Sequence, residues 1–265
     1  MTGIIQSVGR GVMDLLSYIG GVASLFVYSA AEAFAKPKPG DRLIRQITTK
    51  QVYFTGVQAI APIGVIALTL GMLIIVEMFS IAPKIGQESM IGKVLVLVIV
   101  RELGPLLTAI IIIGRSGTAI ATEIANMMVS DEFDALESIG VDPLRFIVYP
   151  RIVGMILSLT GLVIFFDVIG LLGGFLAARL IGVTLAFSEY MNYLFKGMGL
   201  IDLVVVLFKC VTMAGAIAVI SVMQGFKVGR NQMMVPVAAT KSVVNSLIAI
   251  FIVDGIITTF SYLRL

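Results

Sequence analysis

Long apolar runs alternate with shorter polar segments along most of this chain, and the apolar runs determine the predicted fold. Four of the runs are clear and lie at about 91–114, 152–178, 198–224 and 242–263. A fifth run, at about 54–79, is apolar apart from Glu77 near its end. Because a helix needs roughly 20 apolar residues to cross a bilayer, this pattern predicts five transmembrane helices.

The N-terminal segment has a different, amphipathic pattern. Its apolar residues recur at helical spacing, and Arg10 and Asp14 fall between them. The apolar positions are Ile4, Ile5, Val8, Val12, Leu15, Leu16 and Ile19. This spacing predicts a helix that lies in the membrane interface. Residues 15–31 are uncharged and borderline in length for a span, but Gly20-Gly21 weakens a helix there, so we favour the interfacial position.

Composition agrees with an all-α integral membrane protein. Of the 265 residues, 58% are hydrophobic and 13% are charged, whereas soluble domains carry roughly 25% charged residues. The chain has no histidine and one cysteine, Cys210, which excludes a disulfide framework, histidine metal sites and Ser-His catalysis. The net charge of +3 is too small to indicate nucleic-acid binding. We expect a single membrane domain over 1–265, with an interfacial or cytoplasmic region at 1–50 and a five-span bundle at 54–263.

The distribution of Lys and Arg predicts the orientation of the bundle, because cytoplasmic loops carry an excess of both. With five spans, one side holds Lys36, Lys38, Arg42, Arg45, Lys50, Arg115, Arg145, Arg151, Lys227, Arg230 and Lys241. The other side holds Lys84, Lys93, Arg179, Lys196 and Arg264. The first side is therefore expected to be cytoplasmic, which places the N-terminus in the cytoplasm and the C-terminus on the opposite side.

Several charged residues fall inside the apolar runs, where each is costly at roughly 2.5–3.5 kcal/mol on insertion scales. Lys209 and Asp254 occur at matching depths on consecutive spans, which predicts an ion pair that either fixes helix register or serves a substrate. Arg101 and Glu102 are adjacent, so on a helix they point roughly 100° apart and cannot easily share a partner. Asp167 lies near the centre of the third run.

A small-residue segment, Gly114-Arg115-Ser116-Gly117, is expected to end the second run and to open a cytoplasmic connection that extends to residue 150. Within this connection Ser130 can cap a short helix that begins with Asp131 and Glu132. An apolar stripe follows at Phe133, Leu136 and Ile139, before the stop signals Gly140 and Pro143. Because a solvated turn has no need of such a stripe, we interpret this helix as a docking surface for a partner.

The chain has no complete nucleotide-binding loop. The segment GQESMIGK at 86–93 has five residues between its glycines where the phosphate-binding motif has four, and Val94 replaces the required Ser or Thr. Any ATP must therefore be bound by another chain, and we expect neither a cofactor nor a metal in this one. Two other functions stay open. They are an ion-coupled secondary transporter that uses Asp167, Lys209 and Asp254 as a relay, and a membrane scaffold.

Three motifs resemble the MlaE family of permeases, the membrane subunits of MCE-associated ABC transporters for lipids. They are RELGP at 101–105, GRSGTAIATEI at 114–124, and DEFDALESIGVDP at 131–143 followed by YPR at 149–151. Several uncommon elements occur in order at the family spacing, and weaker resemblance extends over nearly all the chain. One departure is Glu132, where the family often has Gln.

The resemblance implies an interfacial N-terminal helix and five spans that work as a homodimer in the bacterial inner membrane, with the C-terminus in the periplasm. It implies a cytoplasmic ABC ATPase that binds ATP and Mg and contacts the coupling helix at 131–140. It also implies an MCE-domain protein on the outer face and a small STAS-domain protein on the ATPase. A phospholipid or related lipid would occupy a cavity at the dimer interface, lined by the first and second spans with Arg101 and Glu102. Gly170 and Gly174 form a GxxxG pattern, which is the only residue-level support for dimerisation.

Overall fold

The computed structural model describes residues 20–22, 24–29, 31–32, 40–81, 91–180, 182 and 186–263. Throughout these ranges the regular structure is helical and no strand occurs. Five of the helices are long and apolar enough to cross a membrane, which confirms the predicted all-α, five-span architecture. In chain order, the five spans are Asp41–Met78, Gly92–Val129, Leu144–Leu180, Leu200–Phe226 and Gln232–Leu263.

The first span begins earlier than the apolar pattern predicts. It consists of an α-helix at Asp41–Thr55, a 3₁₀ turn at Val57–Ala59 and an α-helix at Ile60–Ile81. The polar segment 41–50, expected to be part of a loop, is helical because it packs along the third span. There Ile44 is buried, and a Cβ atom on Gly154 would come within 2.6 Å of Gln51 Cγ.

The predicted GxxxG pattern packs within the chain rather than between copies. A Cβ atom on Gly71 of the first span would lie 2.0 Å from the carbonyl oxygen of Gly170 on the third span. A Cβ atom on Gly174 would lie 1.7 Å from Ile75 Cδ1. Small residues thus let the two backbones approach closely. Gly170 and Gly174 therefore explain the contact between the first and third spans and give no support to dimerisation.

The second span continues through the expected stop at Gly114–Gly117. It has α-helical turns at Ile91–Leu95, Gly104–Ile112 and Thr118–Val129, joined by π-helical turns at Val96–Leu103 and Ile113–Gly117. The prediction of a turn was wrong because Thr118–Val129 is itself apolar enough to continue the helix and packs against the fourth span, where Ser221 Oγ lies 3.3 Å from the Cβ position of Gly117. At 38 residues this span is roughly 57 Å long, well beyond a hydrocarbon core of about 30 Å.

The connection between the second and third spans is correspondingly shorter than expected. It contains a helix at Glu132–Ser138, and the third span follows with a π-helical turn at Leu144–Val148 and an α-helix at Tyr149–Leu180. A further helix at Phe187–Gly197, which the apolar pattern did not reveal, precedes the α-helical fourth span Leu200–Phe226. The Phe187–Gly197 helix is amphipathic and attaches through Tyr190, whose hydroxyl donates to the carbonyl oxygen of Leu171 at 2.9 Å.

The fifth span is the least covered part of the bundle. It comprises a 3₁₀ turn at Gln232–Met234 and an α-helix at Val235–Leu263. In its most apolar stretch of 18 residues, 11% are buried, whereas 56% are buried in the corresponding stretch of the fourth span. Apolar side chains such as Ile248, Phe251 and Ile252 are more than half exposed. This span therefore presents a long apolar face to its surroundings.

The predicted interfacial helix over Ile4–Ile19 lies outside the described residues. The described residues that follow it, between 20 and 32, are helical and lie against the bundle. A Cβ atom on Gly215 of the fourth span would come within 2.2 Å of Phe26 Cε2. The hydroxyl of Tyr28 donates to Asp142 Oδ2 at 2.8 Å, and Arg145 Nε lies 2.7 Å from Glu32 Oε1. This segment is therefore held by the fourth span, by the connection after the coupling helix and by the beginning of the third span.

Candidate functional site

Lys209, near the middle of the fourth span, is the centre of a buried charge cluster. Its side chain is 0% exposed, and its Nζ lies 2.8 Å from Glu102 Oε2 and 2.8 Å from Asp254 Oδ1. The ammonium group also donates to the carbonyl oxygen of Arg101 at 2.9 Å. The structure thus brings together the expected pair, Lys209 and Asp254, and adds Glu102 as a second carboxylate. The ammonium group therefore donates two hydrogen bonds, to Glu102 and to the Arg101 carbonyl, and pairs with Asp254 by charge.

The backbone of the second span is shaped to accept this lysine. Pro105 has no N–H, so it cannot close the usual helical hydrogen bond to the carbonyl of Arg101, four residues earlier. The preceding turns, Val96–Leu103, are π-helical, a geometry that recurs at functional sites. Lys209 supplies a donor to the carbonyl that the proline leaves without its usual partner. The RELGP segment therefore provides both a carboxylate and a backbone acceptor.

Arg101 and Glu102 have separate partners, as their adjacent positions predict. Arg101 Nη1 lies 3.2 Å from Asp202 Oδ1, and its Nη2 donates to the Ser261 hydroxyl. The guanidinium carbon lies 4.9 Å from the centre of the Tyr262 ring. Glu102 instead accepts from Lys209 and from the Thr258 hydroxyl, at 3.2 Å to Oε2.

The cations of the cluster are sealed, and the carboxylates are its accessible part. The side chains of Lys209 and Arg101 are 0% and 3% exposed, whereas those of Glu102, Asp202 and Asp254 are 26%, 18% and 15% exposed. Arg101 was expected to line a cavity, but its partners enclose it. The residue that can meet a ligand directly from this segment is Glu102.

An apolar groove adjoins the cluster between the fourth and fifth spans. It has a volume of about 720 Å³ and is lined by residues that include Leu200, Val204, Phe208, Ile256, Phe260 and Ser261. Ser261 both lines the groove and accepts from Arg101, so the groove ends at the charged residues. A volume of this size is typical of small-molecule sites. An apolar trough that ends at charged groups is suited to an amphiphile.

Asp167, on the third span, stands apart from the Lys209 cluster. Its side chain is buried and its Oδ1 has no hydrogen-bond partner among the described residues. A Cβ atom on Gly104 would lie 2.2 Å from this oxygen, so only glycine fits at position 104 without a shift. No ion pair or hydrogen bond in the described part of the chain joins Asp167 to Lys209 or Asp254. The structure therefore connects Lys209 with Asp254 but does not join Asp167 to the hypothetical ion relay.

The coupling helix, Glu132–Ser138, differs from its predicted form at its beginning. Ser130 does not cap it, and the residue at the N-cap is Asp131, in the left-handed conformation with φ 54°. The helix therefore begins one residue later than expected. No side-chain hydrogen bond caps its N-terminus, because the left-handed turn directs Asp131 elsewhere, towards Arg230.

The expected apolar stripe of this helix faces mostly inward. Phe133 is buried, and its ring meets Phe226 edge-on at 5.1 Å between centroids. Leu136 is partly buried against the same core, while Ile139 is 72% exposed. Phe133 was expected to contact a partner, but it attaches the helix to the end of the fourth span instead. The surface left for a partner is acidic and includes Asp131, Glu132, Asp134, Glu137 and Ile139.

These features define a class: a multi-pass α-helical membrane protein with a buried charge cluster, an adjoining apolar groove and a short surface helix at one end.

Comparison with known proteins gives the family. The family model described as "Permease MlaE" matches residues 48–260. A probable ABC transporter permease protein of Rickettsia typhi is 31% identical over 96% of each chain. The intermembrane phospholipid transport system permease protein MlaE of Haemophilus influenzae is 27% identical over 97% of each. The chloroplastic protein TRIGALACTOSYLDIACYLGLYCEROL 1 of Arabidopsis thaliana is 28% identical over 81% of this chain and 61% of its own. The chain belongs to the MlaE permease family.

Proposed function

We propose that this chain is the permease subunit of an ABC transporter that moves phospholipid or a related lipid between the inner membrane and an MCE-domain protein. The observation that carries the proposal is the apolar groove that ends at the buried charge cluster. Acyl chains fit the groove, and a polar headgroup fits the partly exposed carboxylates beside it. The Haemophilus influenzae relative, which is named as a phospholipid transport permease, supports the same class of cargo.

The energy for transport would come from a separate ABC ATPase, which binds ATP and Mg. The acidic face of the coupling helix is the proposed contact surface, because it is the exposed part of the connection between the second and third spans. The length of the second span supports this position, since a helix of 38 residues carries the connection beyond the bilayer. A STAS-domain protein would bind to the ATPase rather than to this chain.

A second copy of the chain would complete the transporter as a homodimer. The fifth span supports this arrangement, because only 11% of its most apolar stretch is buried and a second copy can cover the exposed face. In the dimer the MCE-domain protein would occupy the outer face, near the lipid cavity. The excess of Lys and Arg on one side supports an inner-membrane position with the N-terminus cytoplasmic and the C-terminus periplasmic.

The test is reconstitution of the chain, with the ATPase that co-purifies with it, in vesicles that contain fluorescent phosphatidylethanolamine, whose ammonium group can pair with the exposed carboxylates. We expect lipid transfer that requires ATP and that falls strongly in Glu102→Gln, since Glu102 is the most exposed member of the cluster. Transfer driven by an ion gradient without the ATPase would instead favour the secondary transporter. A chain that recruits partners without ATP-dependent lipid movement would be a scaffold.

Docking of the ATPase has its own test. Ile139→Asp changes the exposed residue at the C-terminal end of the coupling helix, so it alters the contact surface without removing a buried side chain. Met233→Asp is the matched control, because Met233 is 86% exposed on a different cytoplasmic turn. We expect the ATPase to co-purify with the Met233 variant and to be lost from the Ile139 variant. Equal retention by both would contradict the docking site.

A further inference from the structure

Arg230, in the turn between the fourth and fifth spans, binds the beginning of the coupling helix. Its Nε lies 2.7 Å from Asp131 Oδ1, and its Nη2 lies 3.5 Å from Asp134 Oδ2. The Arg230 side chain is 73% exposed, and exposed ion pairs add little to folding stability. The contact therefore matters through its position, because it joins the coupling helix to an element that is distant in the chain.

The turn that carries Arg230 is firmly held by the bundle. Val228 is buried with Ala125 of the second span and with Val235 and Ala238 of the fifth. Gly229 takes the left-handed conformation, with φ 59°, which reverses the chain between the two spans. A force applied to Arg230 therefore reaches the fourth and fifth spans and is not absorbed by a loose loop.

The partner of Arg230 is also unusual. Asp131 is the one non-glycine residue with positive φ in the described part of the chain. Aspartate tolerates this conformation better than most residues, and such backbone strain tends to occur at switch and binding regions. Arg230 thus forms its ion pair at the strained first turn of the coupling helix.

Phe133 and Arg230 hold the same helix in complementary ways. The edge-on contact of Phe133 with Phe226 transmits compression towards the fourth span. An ion pair also resists separation, so Arg230 transmits tension. The fourth span bears Lys209, which lies 17 residues, or roughly 25 Å, from Phe226 along the helix axis. This path connects the coupling helix to the charge cluster without passing through the second or third span.

We propose that Arg230 is a positioning residue that couples movement of the coupling helix to the fourth span and so to the Lys209 cluster. The inference rests on the proposed function, because it assigns a route for a force that an ATPase would supply. Its failure is separable from that of the proposed function, since the ion pair can be tested on the permease alone.

The first experiment uses the reconstituted complex with fluorescent phosphatidylethanolamine and measures lipid transferred per ATP hydrolysed. The variants are Arg230→Ala, Asp131→Asn, their double mutant and Arg230→Lys, since Asn also tolerates the left-handed conformation. Arg42→Ala is the control, because Arg42 is likewise an exposed arginine on the predicted cytoplasmic side. We expect each single neutralisation to lower the ratio by roughly 1.4- to fivefold, the range of one exposed ion pair. The double mutant should be no worse, and Arg230→Lys should recover part of the ratio.

Other outcomes would overturn the inference. They are an unchanged ratio in Arg230→Ala, additive effects in the double mutant, or loss of the bound ATPase in Arg230→Ala, which would make Arg230 a docking residue.

The second experiment places spin labels at Glu137→Cys and Gln232→Cys in the permease alone, where the native Cys210 is buried. We expect a narrow distance distribution that broadens in Arg230→Ala and not in Arg42→Ala. Equal widths would refute the positioning role of Arg230 whether or not an ATPase is found. A distribution that broadens only in Arg230→Ala would support that role, and failure to recover any ATPase would then contradict only the proposed function.

Discussion

Removal of Lys209 is the sharpest test of the buried cluster. At 2.8 Å, and with an effective dielectric constant of about 20, one pair of unit charges attracts by roughly 6 kcal/mol. Desolvation offsets much of this attraction, and loss of one partner from a buried pair typically costs about 3–5 kcal/mol. Lys209→Met leaves both Glu102 and Asp254 without their cation, so we expect a loss at the upper end of this range. Asp254→Asn leaves Lys209 with Glu102 and the Arg101 carbonyl, so its effect should be smaller.

Combined variants separate charge pairing from simple loss of side chains. We expect Lys209→Met with Asp254→Asn to be more stable than Lys209→Met alone, and the triple variant with Glu102→Gln to be the most stable of the three. The measurement is the temperature at which half of the detergent-solubilised protein remains monodisperse. Lys209→Met is expected to have the lowest value. If the destabilisation of the double variant equalled the sum of the two single effects, the groups would not interact and the reasoning would be refuted.

Three further predictions concern close packing, the coupling helix and pH. Gly104→Ala should destabilise the protein by about 1–3 kcal/mol through its clash with Asp167. In the same thermal assay, adding Asp167→Ala should restore part of the lost stability. Gly114→Ala should have little effect, because its Cβ atom would have nothing within 4 Å. Phe133→Ala should cost up to about 3–5 kcal/mol of local stability and expose the coupling helix to limited proteolysis, whereas Ile139→Ala should not. Burial and the hydrogen bond to Asp142 raise the pKa of Tyr28 from 10.0 to about 12. Its contribution to stability is therefore complete below pH 10 and lost as the pH rises towards 12, which an alkaline stability titration against Tyr28→Phe would measure.

The apolar pattern was sufficient for the number of spans and the position of the coupling helix, because both depend on local periodicity. It did not give the direction of the stripe on that helix. Phe133, Leu136 and Ile139 recur at helical spacing whether they face a partner or the bundle, and the residue that decides between these options is Phe226, which lies 93 residues away from Phe133. The contact of Arg230 with Asp131 is invisible in the sequence for the same reason.

The charge cluster could be predicted from the sequence only in part, and the physical reason is different. Matching depths were enough to predict that Lys209 and Asp254 meet, because depth follows from counting residues along regular α-helices. Glu102 was not predicted as the second partner because the turns before it are π-helical. Each residue added to a helix turns the following side chains by roughly 100°, so π-helical turns change the direction of Glu102 while hardly changing its depth. The next two residues fit this altered helix. Gly104 leaves room for the Asp167 side chain. Pro105 cannot donate the usual helical hydrogen bond to the Arg101 carbonyl, which Lys209 binds instead. The RELGP segment therefore acts through its backbone as much as through its charges, and a variant that keeps Arg101 and Glu102 but restores a regular α-helix should lose the cluster.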